Sequence, residues 1–283
     1  MTKKGYEVLN FLVNNGFTNH IAAVISSNDR NVVKDYYDEI KVLCTKAGIK
    51  FANRTENIGN INCELSVAIS WRWLINENEL IVFHDSILPK YRGFSPLVNM
   101  LINGEQNIGV TALFANEEYD KGDIISQSVQ KIKYPITIEK AIEQITKNYI
   151  ELASHIFQAV SKNEKIVGKK QLDENASYSL WRDEKDYFID WTGDSAGIKR
   201  FVDAVGFPFK GASTTCDGKS IKILSVIEQH DVTIENRLPG KVIFLKQGKP
   251  VVVCGSGLIL IGEMRLAESN ELFQIKKFRT RFQ

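Results

Sequence analysis

Phe83-His84-Asp85-Ser86-Ile87-Leu88-Pro89-Lys90-Tyr91-Arg92-Gly93-Phe94-Ser95-Pro96 is the stretch on which the reading of this chain turns. It begins inside Leu80 to His84, a short apolar run of the kind that makes a buried strand. A histidine therefore stands at the carboxyl end of a strand, where open α/β sheets bind their ligands. In the loop that follows, Pro89 fixes one backbone angle and Gly93 permits unusual ones. Phe94 to Asn103 then reads as a helix, with Pro96 in its first turn and Gly104 just past its end.

The same alternation continues in both directions. Upstream, Lys3 to Asn15 looks helical, Ile21 to Ser27 is a buried-strand candidate, and Val33, Tyr36, Tyr37, Ile40, Leu43 and Cys44 keep helical spacing before the strand candidate Leu65 to Ser70. Downstream, Ile108 to Phe114 and Ile124 to Ile132 read as strands bracketing the loop Ala115 to Asp123. A long helix should start after the N-cap Thr137 and run to near Lys162, with Ile138, Ile142, Ile145, Tyr149, Leu152, Ile156 and Val160 on one face. Such alternation predicts an α/β domain over residues 1–165, doubly wound and Rossmann-like, with a mainly parallel sheet. Domains of this type usually open on a strand, whereas Met1 to Gly5 looks like the loop after one. The expectation is that the true start lies upstream; the alternative is a sheet without its first strand.

Residues 166–190 are polar and read as a linker with one anchored piece, Tyr178 to Tyr187. A short helix follows from Asp194 to Val205. After Pro208 come strand patterns at Gly211 to Cys216, Ser220 to Ile227, Lys241 to Leu245, Val251 to Cys254 and Leu258 to Leu266, with turns at Asp217-Gly218 and Gln247-Gly248. Strands of this length and spacing predict a small OB-like β-barrel over residues 191–283.

Composition bounds the function. With 43% hydrophobic and 25% charged residues in a chain of 283, global disorder is excluded. The sequence shows no signal peptide and no apolar run of the roughly 18 to 20 residues that span a bilayer, so a cytoplasmic protein with no membrane partner is expected. Cys44, Cys63, Cys216 and Cys254 form no C-x-x-C pair, and His20, His84, His155 and His230 are equally scattered, so reduced thiols and no metal are expected. The net charge of +2 divides unequally: residues 191–283 hold 14 Lys plus Arg against 9 Asp plus Glu, or +5, leaving −3 for the rest. That is weak beside the basic stripe expected of a protein gripping a large RNA.

His84 to Gly93, then Gly109-Val110-Thr111, then Asp120-Lys121-Gly122-Asp123-Ile124 resemble, in order and spacing, the folate-dependent formyltransferase family. The resemblance extends through Ile189-Asp190-Trp191 and Phe207 to Ala212 to nearly the whole chain, and covers the C-terminal domains of methionyl-tRNA formyltransferases and sugar-nucleotide N-formyltransferases. It implies transfer of a formyl group from N10-formyltetrahydrofolate, as co-substrate and without a metal, to an amine. It implies catalytic roles for His84, as proton shuttle and oxyanion stabiliser, and for Asp120, which would orient the imidazole. By the same resemblance Trp71, Trp73, Leu74, Ser86, Leu88 and Thr111 would line the folate site, with Asp123 a weaker carry-over, and Lys90, Tyr91, Arg92 and Gly93 would meet the substrate. The family's asparagine two positions before the histidine is replaced here by Val82, and loss of an oxyanion donor typically costs about 2.7 to 4 kcal/mol. Ser86, Asn116 and backbone N–H groups are the candidate substitutes.

For the acceptor, the low charge disfavours nucleic acid, and Tyr178 to Glu184 with Phe201 to Ala212 looks most like enzymes acting on nucleotide-linked amino sugars. The expectation is therefore a sugar-nucleotide N-formyltransferase, of the kind serving surface-polysaccharide or pseudaminic-type sugar biosynthesis, with a 4-amino-4,6-dideoxy sugar as the model acceptor and a homodimer as a compatible assembly. The alternatives are a methionyl-tRNA formyltransferase, a non-catalytic folate or nucleotide binder, and hydrolysis of the formyl donor.

Overall fold

A computed structural model describes every residue except Met1, Arg30, Asn31, Ile58, Arg72, Leu74 and 76–78. Contacts divide the chain into two units. One comprises Met1–Leu97, Gln106–Ile132 and Ala141–Leu180; the other comprises Val98–Glu105, Lys133–Lys140 and Trp181–Gln283. The polar stretch expected to link domains thus contributes residues up to Leu180 to the first unit.

Helix α1 (Lys3–Asn14) is N-capped by Thr2, whose hydroxyl accepts from Gly5 N–H at 3.3 Å, and buries Lys4, Val8, Leu9 and Leu12 at helical spacing. Strand β1 (Ala23–Ser26) follows, then α2 (Tyr37–Ala47), which ends at Gly48 in the left-handed conformation. Strand β2 (Lys50–Asn53) pairs parallel to β1. Leu9, Ile40, Cys44 and Ile49 form one small core between these elements. Among the described residues no strand precedes α1.

Strands β3 (Ser66–Ile69) and β4 (Leu80–His84) begin a second sheet. Two-residue β5 (Arg92–Gly93) and helix α3 (Pro96–Asn103) follow, and then β6 (Asn107–Phe114), β7 (Ile124–Lys131) and α4 (Ile138–Ser161). Two-residue β8 (Tyr178–Ser179) pairs parallel to β5. The second sheet runs β3-β4-β6-β7, and only β3 and β4 are parallel; β4 with β6 and β6 with β7 are antiparallel. The sheet is therefore mixed, which corrects the mainly parallel expectation. For β6 and β7 the physical reason lies in the Ala115 to Asp123 loop, which is too short for the crossover that parallel neighbours require.

Strand β4 is enclosed between β3 and β6, which is why its sequence is a continuous apolar run. Ile81 and Phe83 are buried, each contributing about 1.5 to 3 kcal/mol, and the Phe83 ring stacks on Tyr149 of α4 at 5.4 Å. Alternation along the strand puts His84 and Val82 on the opposite face from Phe83. Just beyond β4, Asp85 is held by the Lys4 ammonium and, at 2.5 Å, by the Tyr149 hydroxyl, whose own ionisation is pushed well up by burial and by the Asp85 charge.

In the other unit, Asp194 caps α5 (Ser195–Val205) by accepting from Gly197 N–H at 2.7 Å. Five antiparallel strands follow: β9 (Ala212–Cys216), β10 (Lys219–Gln229), β11 (Val242–Lys246), β12 (Lys249–Val253) and β13 (Leu258–Leu266), in the order β11-β12-β13-β10-β9. The expected small barrel is thus represented by an antiparallel sheet domain. Its last residues bond to both edges: Gln283 exchanges backbone bonds with Thr215, and Thr280 accepts from Val242 N–H at 3.1 Å. No helix among the described residues is long and apolar enough to cross a membrane.

Candidate active site

His84 ends β4 opposite Thr111 of β6, and its side chain is largely buried. Nδ1 lies 3.4 Å from Asp120 Oδ1, and Nε2 lies 2.8 Å from the carbonyl oxygen of Tyr91. Both neighbours accept hydrogen bonds and neither donates them. A neutral ring serves one of them, whereas the imidazolium serves both. The second carboxylate oxygen of Asp120 accepts from the Gly93 N–H at 2.8 Å, which fixes the acid against the ring. Asp120 and Tyr91 both adopt positive φ, 56° and 60°, so each is held in an uncommon conformation by its surroundings. Gly93 is required where it stands: its φ is 100°, and a Cβ there would lie 2.6 Å from the Ser179 carbonyl oxygen.

The two residues expected to be catalytic are therefore brought together. Several of the others serve a different purpose. Arg92, expected to meet substrate, is 1% exposed and turns inward. Its Nε and Nη2 donate to Gln171 Oε1 at 3.2 and 2.8 Å, and Nη1 donates to Asp173 at 2.7 Å and to the Tyr178 hydroxyl at 3.4 Å. A guanidinium engaged in these four bonds holds the loop. Lys90 is exposed, and Tyr91 contributes its backbone.

Ser86, Leu88 and Thr111, expected to line the folate site, are also directed inward. Ser86 Oγ donates to the Lys90 carbonyl at 2.7 Å. Thr111 Oγ1 donates to the Ser86 carbonyl at 2.7 Å and accepts from Leu88 N–H at 3.1 Å and Gln127 Nε2 at 2.8 Å. Together these bonds fix the loop after His84, and they leave Ser86 unable to replace the donor lost at Val82. Asn116 is exposed, with its side-chain carbonyl accepting from Glu118 N–H at 3.0 Å. Trp71 and Trp73 meet edge to face at 5.0 Å, pack against the Leu9, Ile40, Cys44 and Ile49 core, and carry Arg54 over the Trp73 ring. The Trp71 indole N–H is buried with no hydrogen-bond partner among the described residues. Leu74 lies outside the described residues, and Asp123 is exposed.

Sequence reading missed Gln171. This buried side chain accepts from Arg92 and donates to the Asp120 and Gly122 carbonyls at 2.7 and 2.8 Å, tying the two halves of the site together. It sits in a polar, aperiodic stretch, so nothing in the local pattern signals it.

Residues 52–161 match the family model described as formyl transferase, and residues 182–280 match formyl transferase, C-terminal domain. A methionyl-tRNA formyltransferase of Geobacter sulfurreducens is 31% identical over 193 residues, 68% of this chain and 59% of the relative, so the match spans less than two thirds of that protein. One from Halothermothrix orenii is 29% identical over 274 residues, covering 87% of this chain and 84% of the relative. Among solved structures, WlaRD, a sugar 3N-formyl transferase, superposes with a TM-score of 0.63 at 20% identity, covering 98% of this chain and 96% of its own, a likeness of fold. Matched over residues 52–161 and 182–280 by the models of both of the family's domains, the chain belongs to the formyl transferase family.

Proposed function

We propose that this protein transfers the formyl group of N10-formyltetrahydrofolate to the amine of a nucleotide-linked amino sugar, with His84 and Asp120 as its catalytic pair. The observation that carries the reading is the His84 ring set between the Asp120 carboxylate and the Tyr91 carbonyl, with Asp120 itself locked by Gly93 N–H. As the amine attacks, its nitrogen bonds to the formyl carbon, the bond from that carbon to the folate N10 breaks, and one proton must pass from the amine to N10. An imidazole can take that proton and return it, and Asp120 stabilises the ring while it is charged. The orphaned Trp71 N–H supports a folate site beside the Trp71 and Trp73 rings, since a pterin edge offers acceptors for it.

Two observations support a small acceptor over tRNA: the net charge of +2, and the burial of Arg92, which removes one cation from the site. A tRNA acceptor is the second reading, favoured by curated relatives that are named methionyl-tRNA formyltransferases. A non-catalytic folate or nucleotide binder is the third, favoured by Val82. One experiment separates them. The protein is mixed with 10-formyltetrahydrofolate and, in parallel, UDP- and TDP-linked amino sugars or methionyl-tRNA. Free tetrahydrofolate and acceptor mass are then measured. A sugar heavier by one carbonyl unit, lost in His84→Ala, supports the proposal; a formylated tRNA alone, or no product at all, replaces it with the second or third reading.

A further inference from the structure

Beside the His84 and Asp120 pair lies aromatic surface that the chemistry above does not use. Phe94 directly follows Gly93 and Tyr119 directly precedes Asp120. Their rings lie 6.0 Å apart at 53°, and they are 49% and 65% exposed. Neither backbone is free to turn its ring inward. Phe94 N–H donates to the Ser179 carbonyl at 3.0 Å and its carbonyl accepts from Ser179 Oγ at 2.7 Å, while Tyr119 leads into the constrained φ of Asp120. Leu180, next to Ser179, is 76% exposed. Exposed apolar side chains grouped at the edge of a reactive pair mark a binding surface. Of the cations flanking these two residues, Lys121 is paired with Glu118 and Arg92 is buried.

We propose that Phe94 and Tyr119 form a platform for the apolar C–H face of the acceptor's pyranose ring, and so select a deoxygenated amino sugar. The inference rests on the sugar-acceptor reading above. Of the parts of a nucleotide sugar, only the sugar ring carries the amine, so it is the part that must lie within reach of both His84 and the residues flanking Asp120; the nucleobase lies beyond two phosphates. An uncharged aromatic surface suits a ring whose C–H groups face it and whose methyl replaces a hydroxyl.

Steady-state kinetics of Phe94→Ala, Tyr119→Ala, Phe94→Tyr and Tyr119→Leu test the proposal, using whichever UDP- or TDP-linked amino sugar the wild type formylates and with folding checked by Tm. Each alanine variant should raise KM for the sugar about two- to tenfold, with KM for the formyl donor and kcat held within about twofold. Phe94→Tyr should restore the wild-type KM, and Tyr119→Leu, apolar but not flat, should not. A wild type active on sugars whose alanine variants keep the same sugar KM, or lose affinity for the formyl donor instead, overturns the platform alone. A wild type that turns over no nucleotide sugar overturns the acceptor reading and the platform with it.

Discussion

Arg92→Ala should destabilise the first unit substantially, and removing its ion-pair partner, Asp173→Ala, should also lower stability, by a smaller amount because Gln171 and Tyr178 still accept from the guanidinium. The guanidinium is 1% exposed, and two of its nitrogens serve Gln171 Oε1 in the interior. Truncation leaves that carbonyl oxygen without a donor at a cost of about 1 to 3 kcal/mol, and the space left by the buried side chain adds about 1 to 2 kcal/mol. The sum, roughly 2 to 5 kcal/mol, corresponds to a fall in Tm of about 5 to 15 °C for a unit of this size. In Arg92→Ala the Asp173 carboxylate, 76% exposed, returns to water at little cost, whereas Asp173→Ala leaves the buried guanidinium without its countercharge. Thermal unfolding of both variants, followed by circular dichroism, is the assay. Equal small shifts in Tm would refute the argument, since the buried end of Arg92 would then carry nothing. A raised substrate KM in Arg92→Lys at unchanged Tm would return the residue to the substrate.

Gly93→Ala should lower kcat at least tenfold and cost about 1 to 3 kcal/mol, because the added carbon meets the Ser179 carbonyl and pulls the N–H away from Asp120; kinetics with a matched unfolding curve decide it. Val82→Asn should raise kcat if an oxyanion donor is lacking, and an unchanged kcat would mean that a backbone N–H already fills the role. Burial pushes the Cys44 and Cys216 thiols up to about 11 and Cys254 to about 12, while Cys63 is exposed. A disulfide reagent at pH 8 should therefore titrate one thiol quickly in the native protein and four after denaturation; a second fast thiol would contradict this. Asp190 is held below its ordinary 3.8 by hydrogen bonds from the Thr192 hydroxyl and N–H. The stability it confers is complete above the unfolded value and disappears as pH falls through the lower folded one. The advantage of wild type over Asp190→Asn should thus shrink between pH 5 and pH 2, as measured by urea unfolding at each pH.

What the chain discloses before folding follows from which forces are local. Strand β4 is legible to the residue because burial on both sides demands a continuous apolar run, and β13 because Leu258 to Ile261 are apolar and follow the bend at Gly257. Strand β2, Lys50-Phe51-Ala52-Asn53, was not, since only Ala52 is fully buried and four residues with one buried side chain show no period. The antiparallel course of β6 and β7 was implicit in the length of the loop between them, a constraint stronger than the αβ alternation that suggested a parallel sheet. Arg92 shows a second limit of local pattern. Its place beside the reactive histidine is visible in the sequence, but whether a long side chain faces solvent or core depends on Gln171, 79 residues away.

That same distance explains the site. His84 and Asp120 are joined by register: pairing of His84 with Thr111 fixes where β6 ends, Phe114 N–H bonds the Asp123 carbonyl at 3.0 Å, and the loop between must return within that span. Gly122 makes the return possible, because a Cβ there would lie 1.7 Å from the Phe114 carbonyl oxygen. The spacing of Asp120-Lys121-Gly122-Asp123 is thus a folding requirement that also delivers the acid to the imidazole. The face that receives substrate is less complete. Val82 shares it with His84, Ser86 donates its hydroxyl to the Lys90 carbonyl, and the Asn116 carbonyl accepts from Glu118 N–H while its amide N–H groups keep no such commitment. An oxyanion formed there would be met by a backbone N–H, by the Asn116 amide, or by His84 only once its Nε2 leaves the Tyr91 carbonyl, so the His84–Tyr91 contact is the one that substrate binding has to change.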